Sequence, residues 1–162
     1  MVPFKKILCP IDFSEPSLEA LKAADELAVH FDAQLILLNV TDVVPIAPAT
    51  YSPAAPVPTP FDVPSYQLEL KKMAKKKLDE VRKKYVTNKN KTIAVVVQGD
   101  TAKEIVEKAD EADVDLIIIA THGHSGWGRF IFGSVAEKVI RLATRPVLTI
   151  QEPLKAKNEL EV

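Results

Sequence analysis

Asp115-Leu-Ile-Ile-Ile-Ala120-Thr-His122-Gly-His-Ser-Gly-Trp-Gly-Arg129-Phe-Ile-Phe-Gly133-Ser134 decides how the rest of the chain is read. The apolar run from Leu116 to Ala120 has the length and β-branched content of a strand buried on both faces. Gly123, Gly126 and Gly128 follow as a glycine-rich loop, and Gly133-Ser134 leads into a helix. Ser134 reads as its N-cap, with Glu137 three residues on to complete a capping box. Strand, glycine loop and helix start can together hold phosphate, because glycine lets the backbone approach and free N–H groups attract anions. Two readings of the loop alone stand side by side, an anion cradle and a plain tight turn. No Gly-Lys-Ser/Thr closes it and no Gly-x-Gly-x-x-Gly occurs in it, so it is neither a P-loop nor a dinucleotide fingerprint.

Strands and helices alternate outward from this stretch. Before it, Thr92 to Val97 reads as a strand, and Gly99-Asp100 turns the chain. Thr101 and Glu104 read as a second capping box, opening a helix with Ala102, Ile105, Val106, Ala109 and Ala112 on one face. After it, Val135, Val139, Ile140 and Ala143 mark a fourth helix, and Pro146 opens a fifth strand through Ile150. At the N-terminus Ile7-Leu8-Cys9 is a buried strand that leads through Ile11-Asp12-Phe13 to Ser14, an N-cap with Pro16 in the first turn. Leu18, Leu21, Ala24, Ala28 and Phe31 continue that helix, and Leu35 to Leu38 is the second strand. Seven of the 12 prolines fall between Pro45 and Pro64, which excludes helix and central strand and makes residues 43–64 an exposed loop. The second helix then runs from Ser65 to about Tyr85.

Ten of the 21 basic residues lie between Lys71 and Lys91, but Tyr85 is the one aromatic among them. With a net charge of −1, this reads as a solvated helix face rather than a nucleic-acid surface. The 162 residues suit a single domain over 1–152 with a charged tail at 153–162. The single cysteine, Cys9, sits in an apolar strand, so it reads as a buried inert thiol. No apolar segment resembles a signal peptide or reaches the roughly 18 residues of a membrane span, which makes the cytoplasm the expected compartment.

Continuous apolar strands alternating with amphipathic helices imply an α/β fold, an open parallel sheet with helices on both faces. Ligands in such sheets bind beyond the carboxyl ends of the strands, where the strand order reverses. In the order 3-2-1-4-5 the reversal lies between strands one and four. Pro10-Ile11-Asp12-Phe13 would then face Ala120-Thr121-His122-Gly123, with Val40-Thr41 beside them.

Ala120-x-x-Gly123, nine residues, then Gly133-Ser134 resembles the nucleotide-binding signature of the universal stress protein (UspA-like) family, which is Gly, two residues, Gly, nine residues, Gly, then Ser or Thr. Lys6 to Ser14 resembles the family's first strand, and Gly133 to Ile140 with Arg145-Pro146-Val147-Leu148 its last helix and strand. The resemblance spans Phe4 to Ile150. It implies a five-stranded fold of order 3-2-1-4-5 (adenine nucleotide alpha hydrolase-like), ATP binding as in one branch of the family, and a homodimer through the last strand. It places Asp12 and Val40 at the base and ribose end, and Gly123, Gly133 and Ser134 around the phosphates. Pro10, Ile11, Ala120, His122, Arg129 and Val135, beside these positions, are further candidates for the same site. Ala120 departs from the pattern by standing at the first glycine. If that position needs positive φ, alanine would cost about 1 kcal/mol or more; if it needs room, one methyl is at issue.

The remaining candidates keep two readings each. His122 and His124 form a His-x-His pair, but His30 is far off and no cysteine completes a metal set, so a loop histidine near phosphate is preferred. Arg129 pairs with phosphate or faces solvent. Trp127 anchors the loop or joins a dimer contact. Asp12 holds Mg²⁺ through water or ends the first strand as a turn residue. No dedicated catalytic set is legible, since Ser134 has no evident His–Asp partners. The functional expectation is an ATP-binding stress-response protein acting as a nucleotide-dependent switch or interaction module. Its rivals are a nucleotide-free dimerising module of the same fold and a slow ATPase.

Overall fold

The computed structural model describes residues 4–43, 62–121 and 133–151. Five strands, β1 (Lys6–Pro10), β2 (Gln34–Thr41), β3 (Thr92–Gln98), β4 (Leu116–Ala120) and β5 (Val147–Ile150), form one parallel sheet in the order β3-β2-β1-β4-β5. Four helices connect them: α1 (Glu15–Phe31), α2 (Val63–Tyr85), α3 (Thr101–Glu111) and α4 (Ser134–Leu142). A short 3₁₀ turn, Lys89–Lys91, precedes β3.

Side chains on successive residues of a strand point to opposite faces, so each central strand serves two cores. Ile7 and Cys9 of β1, Leu35 and Leu37 of β2 and Ile118 of β4 pack with Leu21 and Ala24 of α1 and Leu78 of α2. Leu8, Ile36, Leu38, Ile117 and Ile119 turn the other way, against Ile105 and Ala109 of α3 and Ala136 and Val139 of α4. Burial pushes the Cys9 thiol up to about 12, which leaves it protonated and unreactive at neutral pH.

Helix ends differ from the sequence reading where two polar residues compete for a cap. Ser14 caps α1 as expected, accepting from Ser17 N–H at 3.3 Å. In α3 the N-cap is Asp100, which accepts from Lys103 N–H at 3.1 Å; Thr101 is already helical, so the Thr101–Glu104 capping box does not form. A carboxylate one residue earlier accepts the same bond and also meets the positive helix end. Asp62 starts α2 by accepting from Ser65 N–H at 3.2 Å. Val63 and Pro64 therefore belong to α2, because proline fits a first turn that needs no donor.

Asp115 pins the start of the sheet. Its carboxylate accepts from the N–H groups of Lys5 at 2.7 Å and Lys6 at 2.9 Å, and its own N–H donates to Lys6 O at 2.9 Å. The two backbone donors hold its pKa below the usual carboxylate range. A depressed folded pKa contributes stability above the unfolded value of about 3.9 and loses it as pH falls through the folded one. Asp115→Ala is therefore expected to melt below the wild type at pH 7, with the gap closing below about pH 4. Thermal melts of both chains across that range test this, and a pH-independent gap would assign the effect to packing.

Candidate functional site

The strand order reverses between β1 and β4, and a cavity of about 290 Å³ opens there beyond their carboxyl ends. It is at the small end of ligand sites, which run from roughly 300 to 1,000 Å³. Pro10, Ile11 and Asp12 line it from the end of β1, Val40 from β2, and Ala120 from β4. Gly133, Ser134 and Val135 line it from the start of α4. His122, Gly123, Arg129 and the rest of the glycine loop, with His124 and Trp127, lie outside the described residues. The two ends of that loop meet at the cavity, because Gly133 N–H donates to Thr121 O at 2.6 Å.

Ser134 is not the N-cap of α4. Gly133 takes that position, with φ −68° and ψ 156°, no described side chain caps the helix, and Glu137 N–H returns to Gly133 O at 3.0 Å. Ser134 is the first helical residue, so the expected capping box with Glu137 is absent. An uncapped first turn keeps its donors for another acceptor. Ser134 is exposed, and both its hydroxyl and its N–H belong to that turn.

Ala120 extends β4 in register with Ile150 and has no positive φ. The departure from the glycine signature is thus a matter of room, one methyl at the cavity wall, and carries no backbone strain. Asp12 lies in an Asx turn, where Oδ1 accepts from Ser14 N–H at 2.9 Å and from the Ser14 hydroxyl. Phe13, between them, holds φ 67°, an unusual left-handed conformation for a bulky residue. Its ring packs on the core and lies 4.3 Å from Lys77 Nζ, contacts that offset a strain of order 1 kcal/mol. That turn fixes where Asp12 stands at the rim.

Four polar lining residues are new relative to the sequence reading: Ser17, Asn39, Asp42 and Thr101. Asn39 is buried and donates from Nδ2 to Ile11 O at 2.7 Å, tying the end of β2 to the exit from β1. Ser17 is in the first turn of α1 and Thr101 is the first residue of α3. Three helix starts therefore border the cavity, at Ser17, Thr101 and Ser134, and their dipoles make it a favourable place for an anion. Two carboxylates, Asp12 and Asp42, stand on its wall. Among the described residues no cluster of three or more His, Cys, Asp or Glu side chains could hold a metal by itself. No described helix is long and apolar enough to cross a membrane.

These features define an α/β protein of the adenine nucleotide alpha hydrolase-like fold, with a crevice at its switch point whose mainly apolar wall carries a few polar side chains. The universal stress protein family model matches residues 3–151, and the chain belongs to that family. It is 36% identical over 152 residues to universal stress protein MJ0531 of Methanocaldococcus jannaschii, covering 94% of this chain and 85% of that one. The solved structure of protein MJ0577, from the same organism, superposes with a TM-score of 0.73 at 27% identity, over 93% of this chain and 98% of that one. A universal stress protein in complex with cAMP (TM-score 0.59, 23% identity) and one from Archaeoglobus fulgidus in complex with dAMP (TM-score 0.56, 20% identity) share the fold, each matching 93% of this chain and 98% and 99% of their own.

Proposed function

We propose that the crevice binds an adenine nucleotide, ATP with Mg²⁺, and that its occupancy switches the protein's interactions in a cytoplasmic stress response. One observation carries this: eight residues expected at a nucleotide site, Pro10, Ile11, Asp12, Val40, Ala120, Gly133, Ser134 and Val135, line one cavity. Relatives of the same fold are complexes with cAMP and dAMP, but at their identities the likeness carries the fold alone. The ligand is argued from the donors. The α4 start and the Ser134 hydroxyl suit phosphate oxygens, and the ends of β1 and β2 suit the base and ribose. Mg²⁺ beside a triphosphate needs one or two carboxylates, the phosphate oxygens and water, so Asp12 suffices on the protein side. Asp42 lines the same cavity.

Denaturing freshly purified protein and identifying the released nucleotide is the direct test. Added ATP at about 100 times its Kd is expected to stabilise the fold by roughly 2.7 kcal/mol, a rise in Tm of roughly 5–10 °C for a chain of this size. An empty protein with a flat Tm, with and without Mg²⁺, would favour the nucleotide-free module.

The proposed homodimer would join across β5. Among the described residues that strand pairs with β4 alone, at the edge of the sheet, and exposes Leu148 at 39% of its surface. Light scattering reads the mass directly.

A further inference from the structure

The opposite edge of the sheet carries a different chemistry. β3 is the outer strand there and, among the described residues, pairs with β2 alone. Gly99 N–H donates to Thr41 O, and Val97 O accepts from Thr41 Oγ1, so odd-numbered residues turn their main-chain groups toward β2. Main-chain groups alternate in direction along a strand, so Ala94 and Val96 turn theirs outward. Arg82 Nη1 donates to Thr92 O at 3.0 Å, on that same outward side, and closes the edge at its beginning.

An open groove of about 810 Å³ runs beside this edge, between β3 and α2. Its floor is Ala94, Val95 and Val96, and Leu68, 53% exposed, stands in its wall. Lys71, Lys72, Lys75, Lys76 and Lys83 line the α2 side. The acids in the groove are Asp79 and Glu80, and Asp79 is already paired with Lys75 at 2.6 Å. Among the described residues the groove therefore combines a main-chain edge without a strand partner, a narrow apolar floor in which the Val96 side chain is buried, and a surplus of positive charge.

We propose that β3 takes up an extended acidic segment of a partner protein as a sixth strand, with main-chain pairing to Ala94 and Val96 and its carboxylates against the α2 lysines. Strand addition draws affinity from the edge and specificity from flanking side chains. The lysine row also selects the occupant. A second copy of this chain docking symmetrically by the same edge would set lysines against lysines, whereas an acidic strand is attracted. A nucleic acid has no use for a strand edge, and among the described residues no aromatic side chain lines the groove for bases to stack on. The inference is independent of the nucleotide reading, since the two sites share no lining residue.

The probe is a fluorescein-labelled, terminally blocked peptide of alternating Glu and Val, titrated with the full chain and followed by anisotropy. Saturable binding is expected, weakening as NaCl rises from about 50 to 300 mM. The double variant Lys72→Glu, Lys76→Glu, at two exposed helix positions, is expected to bind at least about tenfold more weakly. The same peptide N-methylated at alternate residues, made in both registers, keeps its charge and loses its donors; it is expected not to bind in one register. Absence of saturable binding would overturn the proposal. So would equal binding of both methylated peptides, which would leave charge as the only attraction, or equally tight binding of a thymidine oligonucleotide, which would make the groove a general polyanion surface. Retention of any ATP-induced rise in Tm with the peptide bound separates this site from the crevice.

Discussion

Ser134→Pro is expected to leave α4 folded while weakening ATP binding by about 100- to 10,000-fold. Proline is favoured at the first helical position, where no intrahelical bond uses the N–H and φ is already near −65°. The residue before a proline must be extended, and Gly133, at φ −68° and ψ 156°, already is. Ser134 is exposed, so the ring has space. The variant therefore removes the hydroxyl and one free N–H from the proposed phosphate end with little change in stability, within about 0.5–1 kcal/mol. Hydrogen bonds to a charged group contribute about 1.5–3 kcal/mol each, and 1.4 kcal/mol is tenfold in affinity. Ser134→Ala, which keeps the N–H, should fall between wild type and Ser134→Pro. Adenosine, without phosphate, should bind all three alike. Calorimetric titration of ATP and adenosine decides the matter: unchanged ATP affinity in Ser134→Pro would remove the helix start from the site and the triphosphate with it.

The contrast between what the sequence discloses and what it hides is sharpest around that residue. The doubly covered parallel sheet was readable because Leu116 to Ala120 and Leu35 to Leu38 are too apolar to lie anywhere but between two helix layers; right-handed crossovers narrowed its strand order, and the family resemblance supplied the order itself. The crevice followed from the order, because helix starts and strand ends must meet where it reverses. The caps were not readable to the residue. At Asp100-Thr101 and Gly133-Ser134 two adjacent candidates compete, and backbone dihedrals set by the preceding turn decide between them. Phe13, Asp32 and Asp113 hold positive φ without a glycine to announce it. The two aspartates end α1 and α3, where a short polar side chain tolerates the left-handed region, whereas Phe13 depends on tertiary contacts. Asp42 and Thr101 come to the cavity through packing alone. Asn39 did carry a signal: a lone amide in Leu35-Ile36-Leu37-Leu38-Asn39-Val40 must find a partner if the strand is buried, and its partner is the loop that presents Asp12.

Ile117→Ala is expected to lower stability by about 2–5 kcal/mol without disturbing the crevice. Ile117 has no exposed surface and lies in register with Leu8 on one side and Val147 on the other. Its side chain belongs to the core beneath α3 and α4, with Ile105, Ala109 and Val139. Strands and helices hemmed in this way cannot collapse onto a void, so truncation loses both the transfer free energy and the packing around the hole. Against a total stability of about 5–15 kcal/mol this is a large fraction, equivalent to a fall of roughly 4–20 °C in Tm. Ile117→Val should cost only about 0.5–1.5 kcal/mol, since one methyl is lost. Leu148→Ala, on the exposed edge strand β5, is expected to cost less than about 1 kcal/mol in the monomer. Ile117 does not line the crevice, so any ATP-induced increment in Tm should survive in Ile117→Ala. Urea melts of the three variants at equal protein concentration check the ranking. An Ile117→Ala midpoint indistinguishable from that of Leu148→Ala would mean that β4 is not the doubly covered strand on which the position of the site depends.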